Sequence, residues 1–520
     1  MALYTASKTR RSLIDSVMFR MLSQIATVSS YVVLVRGMPK SDFGVFNLLY
    51  SFIPVFGTIA SFGLEQILRR YQPDYLRQGN APGAVTLVRL VASSRFLLNV
   101  LLIGVMLLAW NHIAPIFHMG PYREPFAAFA VLLILHFQSQ ILILSLASHM
   151  LHRFSVGAMT MLAFGKLIGY LVMRYAGGFS LIHAIIADTI AYGCIYVFLR
   201  IVYRRRCVPR DMKEPYRPPA AERRRMLKYG LYNNFNDAGV LLLGGAADNL
   251  FIAAFIDPIS VGIYAFYGRL NEMAINLLPV RFFDNIVQPL FFSIDRAEAH
   301  RRVRQFFTFL IDINVILLWG LLTFAVVYHE ELVRIVFAGK YVEYSWLLPL
   351  IMLFSTINSI AVPVSLTAQY EEKAGIILLS KIFVIYNIVS MLILLPRLGI
   401  YGAILSRGTA EAFKNLFIWW WVRDRARWDN ARAVLTTGVL LWGSIGLICY
   451  EAKRLIPLPS IMHCAFGVLM CGLGLLIYLR TPAIGASDRQ LLATVFVGKE
   501  GRLLQRLGLL RPSQPEASGA

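Results

Sequence analysis

Ala84-Val-Thr-Leu-Val-Arg89-Leu-Val-Ala-Ser-Ser-Arg95-Phe-Leu-Leu-Asn-Val-Leu-Leu-Ile-Gly-Val-Met-Leu-Leu-Ala-Trp110 decides the fold class. As a helix rising about 1.5 Å per residue, it can cross the roughly 30 Å hydrocarbon core of a bilayer. Yet Arg95 stands near its middle. A charge at that depth costs at least about 2.5–3.5 kcal/mol on insertion scales, so it normally faces a partner or a water-filled path. Outward from this stretch the pattern recurs, with Arg20, Lys166, Asp237, Arg269, Glu272, Arg407 and Glu411 inside other apolar segments. Cations outnumber acids in this set, which points to passage of an anionic substrate through a membrane.

Composition agrees: 57% of residues are hydrophobic and only 15% charged, with a mean hydropathy of +0.61, far from a soluble domain. Apolar stretches of about 20 residues or more fall near 14–36, 43–66, 84–110, 124–149, 152–173, 179–203, 228–256, 259–292, 304–328, 344–368, 374–395, 399–422, 433–450 and 459–479. The expectation is an all-α integral membrane protein of about 14 transmembrane helices.

A net charge of +22 raises nucleic acid as a partner, but its placement argues for none. With a cytoplasmic N-terminus, Lys and Arg concentrate in the inner loops, as the positive-inside rule requires. The densest run, from Arg200 to Arg225, falls between the sixth and seventh segments. It suits membrane lipid headgroups, or the docking of a cytoplasmic partner. Asp15 and Arg20 interrupt the first apolar stretch, so no cleavable signal is expected. Cys194, Cys207, Cys449, Cys464 and Cys471 show no metal-ligand spacing, so neither a disulfide nor a metal is expected.

The Pro-rich stretch at 204–227 is the one clear break in composition. Around it lies an internal echo. Pro39-Lys-Ser-Asp-Phe-Gly44-Val-Phe follows the first segment, and Pro258-Ile-Ser-Val-Gly262-Ile-Tyr follows the seventh. Parallel halves of this kind mark transporters that rock two bundles about a central site.

Val35-Arg-Gly-Met-Pro-Lys-Ser-Asp-Phe-Gly44-Val-Phe, Ser61-Phe-Gly-Leu-Glu-Gln66, Val261-Gly-Ile-Tyr264 leading to Arg269-Leu-Asn-Glu272, and Leu398-Gly-Ile-Tyr-Gly402 carry a family resemblance over about residues 14–423. The chain resembles the polysaccharide flippase and exporter family of the multidrug/oligosaccharidyl-lipid/polysaccharide transporter superfamily. That resemblance implies two pseudo-symmetric six-helix lobes forming a V-shaped central cleft, plus two extra C-terminal helices. The corresponding parts are an N-terminal lobe at 1–203, a basic cytoplasmic linker at 204–227, a C-terminal lobe at 228–423, extra helices at 424–480, and a cytoplasmic amphipathic helix with a disordered tail at 481–520. It also implies a cargo of polyprenyl-pyrophosphate-linked glycan in a bacterial cytoplasmic (inner) membrane, with both termini cytoplasmic and a polymerase and glycosyltransferases as neighbours.

Arg suits such a cargo because its planar fork makes charge-assisted bonds to phosphate. The family places its cleft on helices 1, 2, 7 and 8, so Arg20 and Arg269 are the expected phosphate contacts. Glu272, one turn from Arg269, offers an intrahelical alternative. Arg95 either extends the cationic surface or anchors Glu65. Lys166 either faces the cleft or is neutralised by burial. Arg407, Glu411 and Lys414 follow one helix face and can form a structural ion-pair ladder.

No GxxxxGK[ST] phosphate loop is present, so coupling to Na+ or H+, with no cofactor, is expected. Asn233, Asn234, Asn236 and Asp237 put hard oxygen ligands inside the seventh segment. The resemblance implies an acid there joined by residues of helices 11 and 12, which makes Asp237 the candidate and Asn387 a companion. Packing amides, with Asp237 paired to a buried cation, are the alternative.

Competing readings are a cation-coupled multidrug extruder, which should present acids to its cargo, and a peptidoglycan lipid-precursor flippase, whose branch shares the fourteen-helix count. A membrane-embedded glycan polymerase or ligase should carry a catalytic region outside the membrane. The short outer loops, with His112, His118 and His329 lacking a matched acid/base partner, argue for a transporter and not an enzyme.

Overall fold

Pro39 and Pro459 each stand immediately before a helix, where the missing N–H costs nothing. Asn80 accepts the Gly83 N–H at 2.8 Å and caps another. In the computed structural model, described over residues 6–209, 216, 218–276, 299–424 and 426–481, there are no strands among the described residues.

The first part of the chain forms α1 (Ala6–Gly37), α2 (Lys40–Ile59), α3 (Leu64–Arg77), α4 (Ala81–Leu108), the short α5 (Trp110–Ile113), α6 (Arg123–Ser148), α7 (His152–Tyr175), α8 (Leu181–Arg206), α9 (Ala220–Leu241), α10 (Gly245–Phe255) and α11 (Pro258–Asn276). There follow α12 (Ala299–Phe337), α13 (Leu347–Ile357), α14 (Ala361–Tyr370), α15 (Ala374–Leu379), α16 (Ile382–Leu398), α17 (Ile400–Val422), α18 (Ala431–Leu455) and α19 (Ser460–Arg480). Among the described residues, 10 spans are long and apolar enough to cross a membrane. The other four expected segments fall on α1, the α9–α10 pair, α11 and α17. The second half of the expected 259–292 segment, and the expected interfacial helix and tail beyond Thr481, lie outside the described residues.

Two expected segments of the first part of the chain are not continuous. The 43–66 stretch breaks between α2 and α3, where Phe62 (φ 46°) and Gly63 (φ 74°) are left-handed. Glycine is required at 63: a Cβ there would lie 1.9 Å from the Gly230 carbonyl oxygen. The 228–256 stretch breaks between α9 and α10 at Leu242–Gly244. The linker is also shorter than its composition suggests. Arginine is a good helix former, so α8 runs on through Arg206, and α9 starts once Pro218 and Pro219 are passed.

The chain packs as two compact units, Met1–Phe266 with Met391–Ala403, and Tyr267–Ser390 with Ile404–Ala520. Packing therefore groups α9, α10 and the start of α11 with the first six expected segments, instead of dividing at 204–227. In the first unit α2–α3 runs antiparallel to α9–α10 along its length. Gly44 meets Pro258 and Gly262, Asn249 Nδ2 donates to Ser51 Oγ at 2.8 Å, and Tyr71 meets Tyr229 edge-on. Tyr75 donates to Glu222 Oε1 at 2.8 Å. The two halves of the internal echo thus touch each other, backbone to backbone.

In the second unit α12 is the spine. Its apolar face, from Phe307 to Ile316, packs with α14, α17 and α18, and further along Val327 and Tyr328 pack with Trp442, Ile445 and Cys449 of α18. Gly467 of α19 leaves room for the Tyr328 ring, where a Cβ would come within 2.2 Å. The contact is fastened at both ends. Trp428 Nε1 donates to Asp312 at 2.6 Å, and Lys453 pairs with Glu331 at 2.7 Å. The two extra C-terminal helices are therefore part of this unit's core.

Candidate transport site

Arg95 is 0% exposed. Its Nη2 donates to the carbonyls of Phe56 and Gly57, each at 3.3 Å, and approaches Glu65 at 3.8 Å. The guanidinium lies 4.2 Å from the Phe137 ring centre. The last carbonyls of a helix lack intrahelical donors, and α2 ends at Ile59, so Arg95 satisfies that end of the helix with a favourable charge. Both terminal nitrogens of Arg95 donate to backbone inside the unit, the arrangement of the anchoring alternative.

Lys166 is held in a cluster that the sequence reading missed. Its Nζ lies 2.9 Å from Asp188 Oδ2 and 2.9 Å from the Tyr50 hydroxyl. Tyr170 donates to Asp188 Oδ1 at 2.7 Å, and Tyr50 also donates to Asp188. Asp188 is 0% exposed. Small residues bring α7 and α8 together: a Cβ on Gly165 would meet Ala191 at 3.2 Å, and one on Gly169 would meet Ala187 at 2.9 Å. The signal was available, because residues 166 and 188 are equally far from the Gly177 turn of an antiparallel helix pair. Lys166 is thus ion-paired within the packed α7–α8 interface.

Two of the candidate ion ligands, Asp237 and Asn233, have a local partner. Asp237 accepts from Gln66 Nε2 at 2.9 Å, beside the breaks in both interrupted segments. Asn233 donates to the Tyr229 carbonyl of its own helix at 2.9 Å. Asn387 is buried in the second unit. The side chain of Asn236 lies outside the described residues. A second acid that went unremarked, Asp248 of α10, is fully buried and accepts from Tyr264 at 2.6 Å.

Two further ion pairs within the expected spans are found in the second unit. Arg269 Nη1 lies 2.9 Å from Glu272 Oε2, with the side chains 44% and 61% exposed. Their direction follows from the packing of α11. Tyr267 donates to the Tyr341 carbonyl at 2.7 Å, and Asn271 donates to Ser355 of α13 at 3.0 Å. At about 100° per residue, Arg269 and Glu272 fall on the side opposite those anchors. Arg407 and Glu411 of α17 pair at 3.1 Å and are about a third exposed. Arg20 lies on α1, and its side chain is outside the described residues.

At the expected inner side, Glu222 joins Tyr75 and Tyr216, whose rings meet edge-on with centres 5.7 Å apart. Burial, and then the bond to Glu222, push the Tyr75 hydroxyl well above its ordinary range. It remains a donor at neutral pH. Arg223, Arg224, Arg225 and Lys228 line the exposed start of α9.

A family model described as "Polysaccharide biosynthesis protein" matches residues 33–346. The structure of "Lipid II flippase MurJ, inward closed conformation" is similar with a TM-score of 0.65 and 13% identity, covering 90% of this chain and 99% of that one. The inward-facing conformation of a multidrug resistance MATE family transporter of the MOP superfamily is similar with a TM-score of 0.59 and 15% identity, covering 82% of this chain and 99% of that one. At such identities the likeness is one of fold, an all-α multi-pass membrane architecture. No curated protein sequence matches this one.

Proposed function

The chain belongs to the polysaccharide biosynthesis protein family, and from that premise we propose that it is a flippase for polyprenyl-pyrophosphate-linked oligosaccharide repeat units, working by alternating access. The observation that carries the reading is Arg269, 44% exposed on a helix of an apolar segment. A charge so placed needs water or a polar ligand beside it. A diphosphate supplies the ligand, and a hydrated cleft offsets its desolvation while the polyprenyl tail stays in hydrocarbon. Arg20 is proposed as a second contact on α1. Arg95 and Lys166 position helices instead of touching cargo, with Glu65 and Asp188 as their partners.

The proposed setting is the bacterial cytoplasmic membrane, with both termini inside, and delivery of repeat units to a polymerase for capsule, exopolysaccharide or O-antigen. In this role the chain is a transporter and not an enzyme. It uses no cofactor and draws on a Na+ or H+ gradient, with Asp237 beside the two helix breaks as the coupling acid. Discontinuous helices at matching depth are where transporters place such sites.

The test is translocation of a polyprenyl-diphosphate oligosaccharide in proteoliposomes. Arg269→Ala should abolish most of it. Unchanged translocation in that variant, together with efflux of organic cations by the wild-type chain, would favour a drug extruder.

A further inference from the structure

The cations of the apolar segments differ in how openly their acids are held. In the pairs Lys166–Asp188 and Arg95–Glu65, one member of each is 0% exposed. No ligand can replace that partner without taking the helices apart. Arg269 and Glu272 are 44% and 61% exposed, on the face of α11 turned from its anchors Tyr267 and Asn271. An exposed pair of this kind is weak. Its order along the helix, with the cation N-terminal to the acid, is also the less favourable one.

Arg269 is therefore occupied by an anion that is easily displaced. Two linked phosphates carry more charge than one carboxylate and match the guanidinium fork with more acceptors. They cannot share Arg269 with Glu272 at hydrogen-bond distance without like-charge repulsion. We propose that Glu272 is an exchange counter-ion: it holds Arg269 in the empty protein, yields it to the phosphates of a diphosphate lipid, and reclaims it as the cargo leaves. Glu272 thereby weakens binding and speeds release, which suits a carrier that must let go of its cargo on the far side. Arg407 and Glu411, about a third exposed in the same unit, are a more sheltered pair with the same order.

This inference rests on the proposed function, and its test separates the two. The full chain is placed in nanodiscs of zwitterionic lipid, and the affinity and dissociation rate of a polyprenyl diphosphate are measured. Glu272→Gln keeps the side chain's shape and removes its charge. It should tighten binding by about two- to fivefold, mostly through slower dissociation. Glu272→Asp should behave like the wild type. With Arg269→Ala as background, Glu272→Gln should have almost no effect, because the two residues act through one interaction.

If Arg269→Ala weakens binding but Glu272→Gln leaves it unchanged or weaker, Glu272 is not an exchange counter-ion and the flippase reading stands. If Glu272→Gln tightens binding equally with and without Arg269, its charge acts at a distance and exchange is overturned. If Arg269→Ala binds as the wild type does, the phosphate-site reading fails, and this inference fails with it.

Discussion

Lys166 and Asp188 face each other across the α7–α8 pair, Nζ to Oδ2 at 2.9 Å, with hydroxyls from Tyr50 and Tyr170 on the same carboxylate. The cluster joins three helices through one fully buried acid. Removing one member strands the other, which costs about 3–5 kcal/mol for a buried pair. Asp188→Ala should therefore fall sharply in thermal stability in detergent. Replacing both residues by apolar ones, Lys166→Met with Asp188→Leu, should recover much of the loss, and a melting series on these two variants and the wild type checks it.

Arg95 predicts a different separation. Its substitution by Met removes the Arg95 donor from the Gly57 carbonyl, at about 1–3 kcal/mol for a buried group left unmade, while Phe56 keeps the Ala60 N–H. The melting temperature should fall. Diphosphate-lipid affinity of the protein that remains folded should stay near wild type, and a large affinity loss at full stability would return Arg95 to the cargo surface.

Tyr75 gives a pH signature. Its hydroxyl is raised above the ordinary 10.0, first by burial and then by Glu222. Folding thus holds the proton more tightly than the unfolded chain does. That contribution is fully present below about pH 10 and is lost as pH rises toward the folded value. Tyr75→Phe should lower stability at neutral pH and flatten the alkaline decline, as melts between about pH 8 and 11 would report.

Asp237→Asn keeps an acceptor for Gln66 but removes the charge. Transport by this variant should lose its dependence on an imposed Na+ or H+ gradient while downhill movement persists. Gradient-driven transport at the wild-type level would place coupling elsewhere.

Helix positions were legible because hydrophobic length is a local property. Most expected ends fall within a few residues of the observed ones, Arg123–Ser148 against 124–149 being typical. The break between α2 and α3 was not, because it sits on a close contact between Gly63 and Gly230, far apart in the chain. Among the charges, intrahelical pairs such as Arg407 with Glu411 follow from spacing alone. Arg95 on the end of α2 depends on where that helix stops, and Asp188 on how α7 and α8 register. Exposure separates Arg269 from Lys166, and no spacing within a single segment encodes it.

The most direct test of a flippase for lipid-linked glycans acting through Arg269 is a mass-spectrometric profile of polyprenyl-linked glycans. It would compare cells lacking this protein with cells complemented by the wild type or by Arg269→Ala. The account predicts completed repeat units accumulating on the cytoplasmic side and loss of surface polymer, reversed by the wild type and not by Arg269→Ala. Unchanged lipid-linked glycans in the deletion strain, with new sensitivity to organic cations, would contradict it.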